Sequence, residues 1–356
     1  MRPVHRELPL RLLGSVSGAA LLLLGVSSLL AQDKPASSHS LKIGFLMDSL
    51  KVERWQTDLD KFQKRAGELG ADVLIETAEG DDDLQLQQAQ KLLGAGVKSL
   101  VLVPHDAEKA MRIVAAAKAK QIPLLCYERL VRDPHGSFFI GVDASAIGFL
   151  QAESLTQIAP KGNYVLIGGS PADSNAKILR EAQWKVLKPF VDRGDIKVVS
   201  DTWSKDWNPT EAYTHMTEAI ESAKGEITAV VASNDGTAGG AVQALAEHHL
   251  AGKALVSGQD ADLAAIIRIL DGTQTMTVYK PLGSQAKVAA EAAVALANGE
   301  PVKSAVSFTV ENRAIPAILL TPVVVTKDNV KETVIKDGFQ NLQTIQRSLP
   351  KEKWPK

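Results

Sequence analysis

From residue 41 onward, short apolar runs alternate with amphipathic stretches, the pattern of strands joined by crossover helices in a parallel sheet. The first run is Lys42-Ile43-Gly44-Phe45-Leu46-Met47, and after it Trp55, Leu59, Phe62, Ala66 and Leu69 recur at helical spacing. The run Asp72-Val73-Leu74-Ile75 leads into a helix through residues 84–93. Leu100-Val101-Leu102-Val103 and Leu124-Leu125-Cys126-Tyr127 follow, separated by an Ala-rich helix over 107–120. The series then restarts with Tyr164-Val165-Leu166-Ile167, Ile196-Lys197-Val198-Val199, residues 227–231 and Ala254-Leu255-Val256, each ahead of a helical stretch. Two such series, each of domain size, predict an α/β protein of two doubly wound parallel-sheet lobes joined by a hinge. A long helix over 284–297 and an apolar run at 318–325, broken by Pro322, come late. The tail after Ile345, rich in Lys and Pro, reads as frayed and solvated.

In open parallel sheets the ligand crevice lies beyond the carboxyl ends of the strands, so the residues just after each apolar run carry the information. They are Arg54-Trp55 after Glu53, then Glu128-Arg129, Asp173-Ser174-Asn175, Trp207, Asn234-Asp235, Asp260 and Lys280. Indole rings suit weakly polar C–H faces, and multidentate carboxylate, amide and guanidinium groups suit a rim of hydroxyls. A buried hydroxyl left unpaired would cost about 1–3 kcal/mol. The cluster therefore fits a small neutral ligand. Each residue also has a plainer role open to it. Trp55 begins the core-facing stripe of Leu59 and Phe62, and Arg54 and Arg129 fit as surface charges. Asn234 and Asp260 fit as helix caps, the latter for a helix beginning near Asp262. Lys280-Pro281 fits as a hinge entry.

Composition narrows the classes. The 356 residues, 45% hydrophobic and 23% charged, suffice for two separate cores. The formal net charge is −1 with Lys and Arg dispersed, which gives no electrostatic footprint for nucleic acid or anionic lipid. Arg2, Arg6 and Arg11, an apolar run over 12–30 and then Ala31 make residues 1–31 a secretory signal peptide. A retained membrane anchor is the other reading, since the run approaches the ~20 residues that span a bilayer. Cys126 is the single cysteine, so no internal disulfide forms. No Walker lysine, no G-x-G-x-x-G after the first strand, no H-E-x-x-H and no G-x-S-x-G is present, and His248-His249 point to different helix faces. The chain is thus expected not to be an enzyme and to need no cofactor or metal. A carboxylate pair for glycoside hydrolysis is a question of separation in space. A sugar-responsive transcription regulator would carry a DNA-reading helix pair where residues 1–32 stand.

Several blocks go further: Glu53-Arg54-Trp55-Gln56, Gly168-Gly169-Ser170-Pro171, Asn175-Ala176-Lys177, Val186-Leu187-Lys188-Pro189, Val231-Ala232-Ser233-Asn234-Asp235, residues 257–263, and Gly272-Thr273-Gln274-Thr275-Met276-Thr277-Val278-Tyr279-Lys280-Pro281. With these the chain, from Lys42 to Phe339, resembles the ribose- and galactose-type sugar-binding proteins of ABC transporters, and among them the xylose-binding branch. The resemblance implies the type I periplasmic binding protein fold. The first lobe would span 41–145 with about 280–315, the second about 146–279 with about 316–345, and 346–356 would be a tail. It also implies a periplasmic monomer that holds a xylose-like pyranose between Trp55 and Trp207. The polar rim would be Arg54, Glu128, Arg129, Asp173, Asn175, Asn234, Asp260 and Lys280, and the macromolecular partner a membrane permease or else a sensor. Two positions depart from the family pattern. Glu128 stands where the family has Asp, so its carboxylate must meet a different hydroxyl or swing aside, which keeps other pentoses and hexoses open. Asp143-Ala144 replaces Asp-Asn near the crossover between lobes.

Overall fold

A computed structural model describes residues 41–355 apart from 53, 134–135, 304–305 and 311–312; the signal-peptide segment and Glu53 lie outside the described residues. The first sheet is built from β1 (Leu41–Met47), β2 (Ala71–Thr77), β3 (Ser99–Leu102), β4 (Leu124–Tyr127), β5 (Phe138–Val142), β11 (Val306–Val310) and β12 (Arg313–Leu320). Its order is β11-β12-β5-β4-β3-β1-β2, parallel throughout except for the β11–β12 hairpin. The second sheet takes β6 (Gly162–Gly168), β7 (Ile196–Trp203), β8 (Ala229–Ala232) and β9 (Leu255–Val256) in the parallel order β7-β6-β8-β9. An antiparallel ribbon of β10 (Thr277–Tyr279) and β13 (Val323–Val325) continues it through a bridge between Gln259 and Val278.

Both sheets are apolar on both faces, as parallel strands covered by crossover helices must be. Ile43, Phe45, Met47, Val101, Leu125 and Tyr127 face α1 (Arg54–Glu68) and α9 (Leu282–Ala297). The intervening residues Leu46, Leu100, Leu102, Leu124 and Cys126 face α2 (Asp82–Gly94) and α3 (Met111–Ala119). The second sheet repeats this period of two. Tyr164, Leu166 and Val231 pack on α4 (Ala144–Ile158) and α5 (Ser174–Asp192), whereas Val165, Ile167 and Val230 pack on α6 (Pro209–Ser222) and α7 (Asp235–Glu247). Cys126 is one of these core residues, and burial pushes its thiol up to about 11, which keeps it protonated and inert.

Three features differ from expectation. Strand β12 stays on the first sheet as far as Leu320, where it pairs with Val142, so the handover expected near 315–316 falls inside a strand. The run stays apolar to Leu320; Thr321 and then Pro322, which cannot donate to a ladder, separate β12 from β13. The tail is docked rather than frayed. It forms α10 (Leu342–Ser348) with Ile345 buried, and the Trp354 indole donates to the carbonyls of Gln346 and Leu349. Finally, α3 begins at Met111 rather than 107, because the preceding residues form turns capped by the Asp106 side chain. Among the described residues no helix is long and apolar enough to cross a membrane.

Candidate functional site

Ten of the strand-end residues, the two tryptophans and the eight of the polar rim, line one cleft between the halves built on the two sheets, whereas Ser174 and Asp235 are not among its lining residues. Arg54 and Trp55 open α1 beyond β1; Glu128 and Arg129 follow β4; Lys280 follows β10 on the way to α9. From the other half come Asp173 and Asn175 at the start of α5, Trp207 beyond β7, Asn234 ahead of α7, and Asp260 beyond β9. Val52 and Gln259 complete the lining. The strand-end rule extends to Gln259, the neighbour of Asp260, but Val52 carries no chemical mark in the sequence.

Several of the plainer roles coexist with a place in the cleft. Trp55 packs in the core against Leu59 and Phe62 and also borders the cavity. Asn234 caps α7 in a reciprocal capping box with Thr237, and Asp173 caps α5 by accepting from the Asn175 amide at 2.8 Å. Asp260 is not a cap: Asp262 precedes α8 (Leu263–Asp271), and Asp260 instead lies 2.8 Å from the Lys280 ammonium. Arg54 and Arg129 are buried rather than on the surface.

The charges form two interlocking groups. Arg54 Nε pairs with Asp58 at 2.8 Å, one helical turn on, and its Nη1 lies 3.0 Å from Glu128 and 3.7 Å from Asp260. Lys280 Nζ lies 2.5 Å from Glu128 Oε1. The Tyr127 hydroxyl donates to Asp58 at 2.5 Å. In the second group Arg129 binds Asp48 at 2.7 Å and, across the cleft, Asp173 at 2.7 Å. Asp173 also accepts from the Trp207 indole at 3.1 Å, and Asp48 lies 2.8 Å from His105. Burying so many ions is costly unless each is paired, and here each cation has at least two carboxylates. Burial pushes the Glu128 carboxyl up, but Arg54 and Lys280, with hydrogen bonds from Lys280 and Gln285, outweigh it and hold it at about 2. The guanidinium carbons of Arg54 and Arg129 stand 4.6 and 5.5 Å from the Trp55 ring centroid.

Pairing is nevertheless incomplete. Among the described residues Arg54 Nη2 and Trp55 Nε1 are buried with no partner, while Arg54 Nη1 and Asp260 Oδ1 meet only the ion-pair partners given above. Such atoms cost about 1–3 kcal/mol each when nothing meets them. Backbone strain gathers in the same place. Glu128 (φ 64°), Asp206 (54°), Trp207 (58°), Asp260 (102°) and Ala261 (58°) all adopt left-handed conformations without being glycine.

The sequence relationships settle the family. Residues 43–301 match the periplasmic binding protein domain. A D-xylose-binding periplasmic protein of Escherichia coli K12 is 47% identical over 319 residues, 90% of this chain and 97% of that protein. The chain belongs to the periplasmic binding protein family. Another D-xylose-binding periplasmic protein, from Haemophilus influenzae, is 43% identical over 93% of this chain and 99% of its own length. A carbohydrate transporter solute-binding protein from Chloroflexus aurantiacus, solved with D-glucose, superposes with a TM-score of 0.79 at 26% identity, covering 85% of this chain and 97% of its own. Like other members of the periplasmic binding proteins, this one is α/β with parallel sheets, as its sequence pattern predicts.

Within this periplasmic binding protein, Glu128 is neither swung out of the cleft nor free in it. Its Oε1 meets Lys280 and Arg54, and its Oε2 accepts from Gln285 at 2.8 Å. Gln285 in α9, Asp58 in α1, Asp48 after β1 and His105 after β3 support the cleft lining without having been singled out from sequence. Asp58 had a detectable signal, a carboxylate four residues beyond an arginine on one helix face. Gln285 had none. At the second departure, Asp143 caps α4 by accepting from the Ser145 amide at 2.9 Å, and Ala144 is buried behind it. Among the described residues no group of His, Cys, Asp and Glu is arranged to hold a metal.

Proposed function

We propose that this chain is a periplasmic binding protein that captures a monosaccharide, D-xylose first, and delivers it to the membrane permease of an ABC transporter. It binds and does not catalyse. The observation that carries the reading is the cleft itself: ten residues of sugar-like chemistry converge on one cavity and leave the buried donors Arg54 Nη2 and Trp55 Nε1 unpaired. Ligand hydroxyls would accept from Arg54 and Trp55, while Trp55 from one half and Trp207 from the other border the cavity with their rings. The two relatives named for D-xylose support the choice of sugar and the periplasmic location. The halves act as lobes of 41–142 with 282–320, and 144–279 with 323–349, that close on the ligand as a monomer. Closure is stabilised by the ligand's contacts to both, and the closed surface is what the permease reads. Dispersed charge near neutrality gives no basis for nucleic-acid binding.

A thermal-shift series over D-xylose, L-arabinose, D-ribose and D-glucose tests this, since a ligand that binds only the folded state raises Tm by mass action. D-xylose is expected to give the largest shift. A flat response to every sugar would overturn the sugar reading, and a larger shift with D-glucose would favour a hexose, the ligand held by the Chloroflexus neighbour.

A further inference from the structure

Glu128 is pinned at three levels. Its backbone amide donates to Ile140 at 2.7 Å, its carbonyl accepts from Asn175 at 2.8 Å, and its side chain is shared between the cleft and α9. The carboxylate's Oε1 meets the cleft residues Arg54 and Lys280, whereas its Oε2 meets Gln285, which does not line the cleft. Gln285 is 0% exposed, and among the described residues its amide oxygen has no partner and its one side-chain hydrogen bond is the one to Glu128. An otherwise apolar helix face, with Ala286, Ala289 and Ala290 in the core, therefore carries a buried amide whose polar contact is a site carboxylate.

We propose that Gln285 is a positioning residue for ligand selection: it holds Oε2 of Glu128 away from the cleft, so that Oε1 alone is presented beside Lys280 and Arg54. Without it the longer Glu side chain has rotamers in which both oxygens reach the cavity, and the hydroxyl pattern it accepts loosens. Gln285 enters on the same connection as Lys280, and its own amide donates to Pro281 at 2.9 Å, so the two partners of Glu128 move as one unit. The inference rests on the sugar-binding reading.

A double-mutant cycle separates this role from a merely structural one. Shortening Glu128 to Asp withdraws the carboxylate by about 1.5 Å, one carbon–carbon bond, beyond reach of Gln285. In the wild type, Gln285→Leu is expected to raise the calorimetric Kd for D-xylose about tenfold and to compress the affinity ratio between D-xylose and L-arabinose. In the Glu128→Asp background it is expected to change either by less than about twofold. Gln285→Asn, which keeps an amide but draws it back, should behave as Gln285→Leu and serves if the leucine variant folds poorly. Equal losses in both backgrounds, or unchanged affinity and ratio in the wild type, would overturn the positioning role. Failure of the wild type itself to bind D-xylose would instead overturn the choice of sugar, and the cycle is then read on the sugar of the thermal-shift series that binds best.

Discussion

Trp207 sits 8% exposed at the rim of the cleft with its indole nitrogen on Asp173, and its ring lies directly against the Cα of Gly169. A Cβ at residue 169 would overlap three ring atoms, so that glycine is required by the ring rather than by its own backbone. Trp207→Ala is expected to lose at least about 30-fold in D-xylose affinity, or about 2 kcal/mol, while retaining a native circular dichroism spectrum. Gly169→Ala should weaken binding in the same direction by displacing the ring; unchanged calorimetric affinity in both variants would remove Trp207 from the binding surface. At this scale the sequence was legible where chemistry and position coincided. Arg54, Glu128 and Asp260 stand out as charged residues just past apolar runs. The lattice behind them was not legible, because Asp48, Asp58 and Gln285 reach the site only through folding, and Gln285 resembles any polar residue on an Ala-rich helix. Nor does composition announce that Glu128, Trp207 and Asp260 adopt left-handed backbones, which the surrounding contacts impose.

The strand-end loops are where elements and titration meet. His105, in the loop after β3, lies 2.8 Å from Asp48 and 3.9 Å from Asp206 in the loop after β7. The hydrogen bond to Asp48 raises its pKa above the usual value against the opposing effect of burial, with Asp82 and Asp206 adding to the rise. A histidine whose folded pKa is raised contributes stability that is full below its ordinary value of about 6.5 and is lost as pH rises through the raised one. His105→Gln is therefore expected to flatten the fall in Tm between about pH 6 and pH 9; parallel profiles for variant and wild type would show that the pair contributes nothing. Elements were read well where periodicity was strong, since the alternation of Phe45 and Leu46, or of Val165 and Leu166, states both the strand and its two covered faces. They were read less well where hydrophobicity runs across a boundary. Residues 318–325 look like one strand but serve two sheets, and Thr321-Pro322 alone marks the change. The Lys- and Pro-rich tail misleads for the opposite reason: Ile345 and Leu349 join a core cluster and Lys353 pairs with Asp271, which dock it despite its polar composition.

Across the whole molecule, ion pairs bridge the halves at the cleft. Arg129 with Asp173 and Arg54 with Asp260 can form only when the two sheets approach. Parting them exposes these charges to water, which lowers the cost of separation, so the ligand's own contacts are expected to tip the balance toward closure. Small-angle X-ray scattering with and without D-xylose checks this: a smaller radius of gyration in the presence of sugar is expected, and identical profiles with proven binding would exclude closure as the response. What the motion is allowed to be follows from the ladders at the crossings. The chain passes between the halves at 142–144, 279–282 and 320–323, and these passages are tied in pairs, Val142 to Leu320 on one side and Tyr279 to Val323 on the other. A single connecting strand would permit swivel, slide and bend alike. Three passages laced along their edges resist swivel and slide more than bending, so the ligand is expected to act along the bending coordinate, on which Lys280, seated in the middle passage, lies.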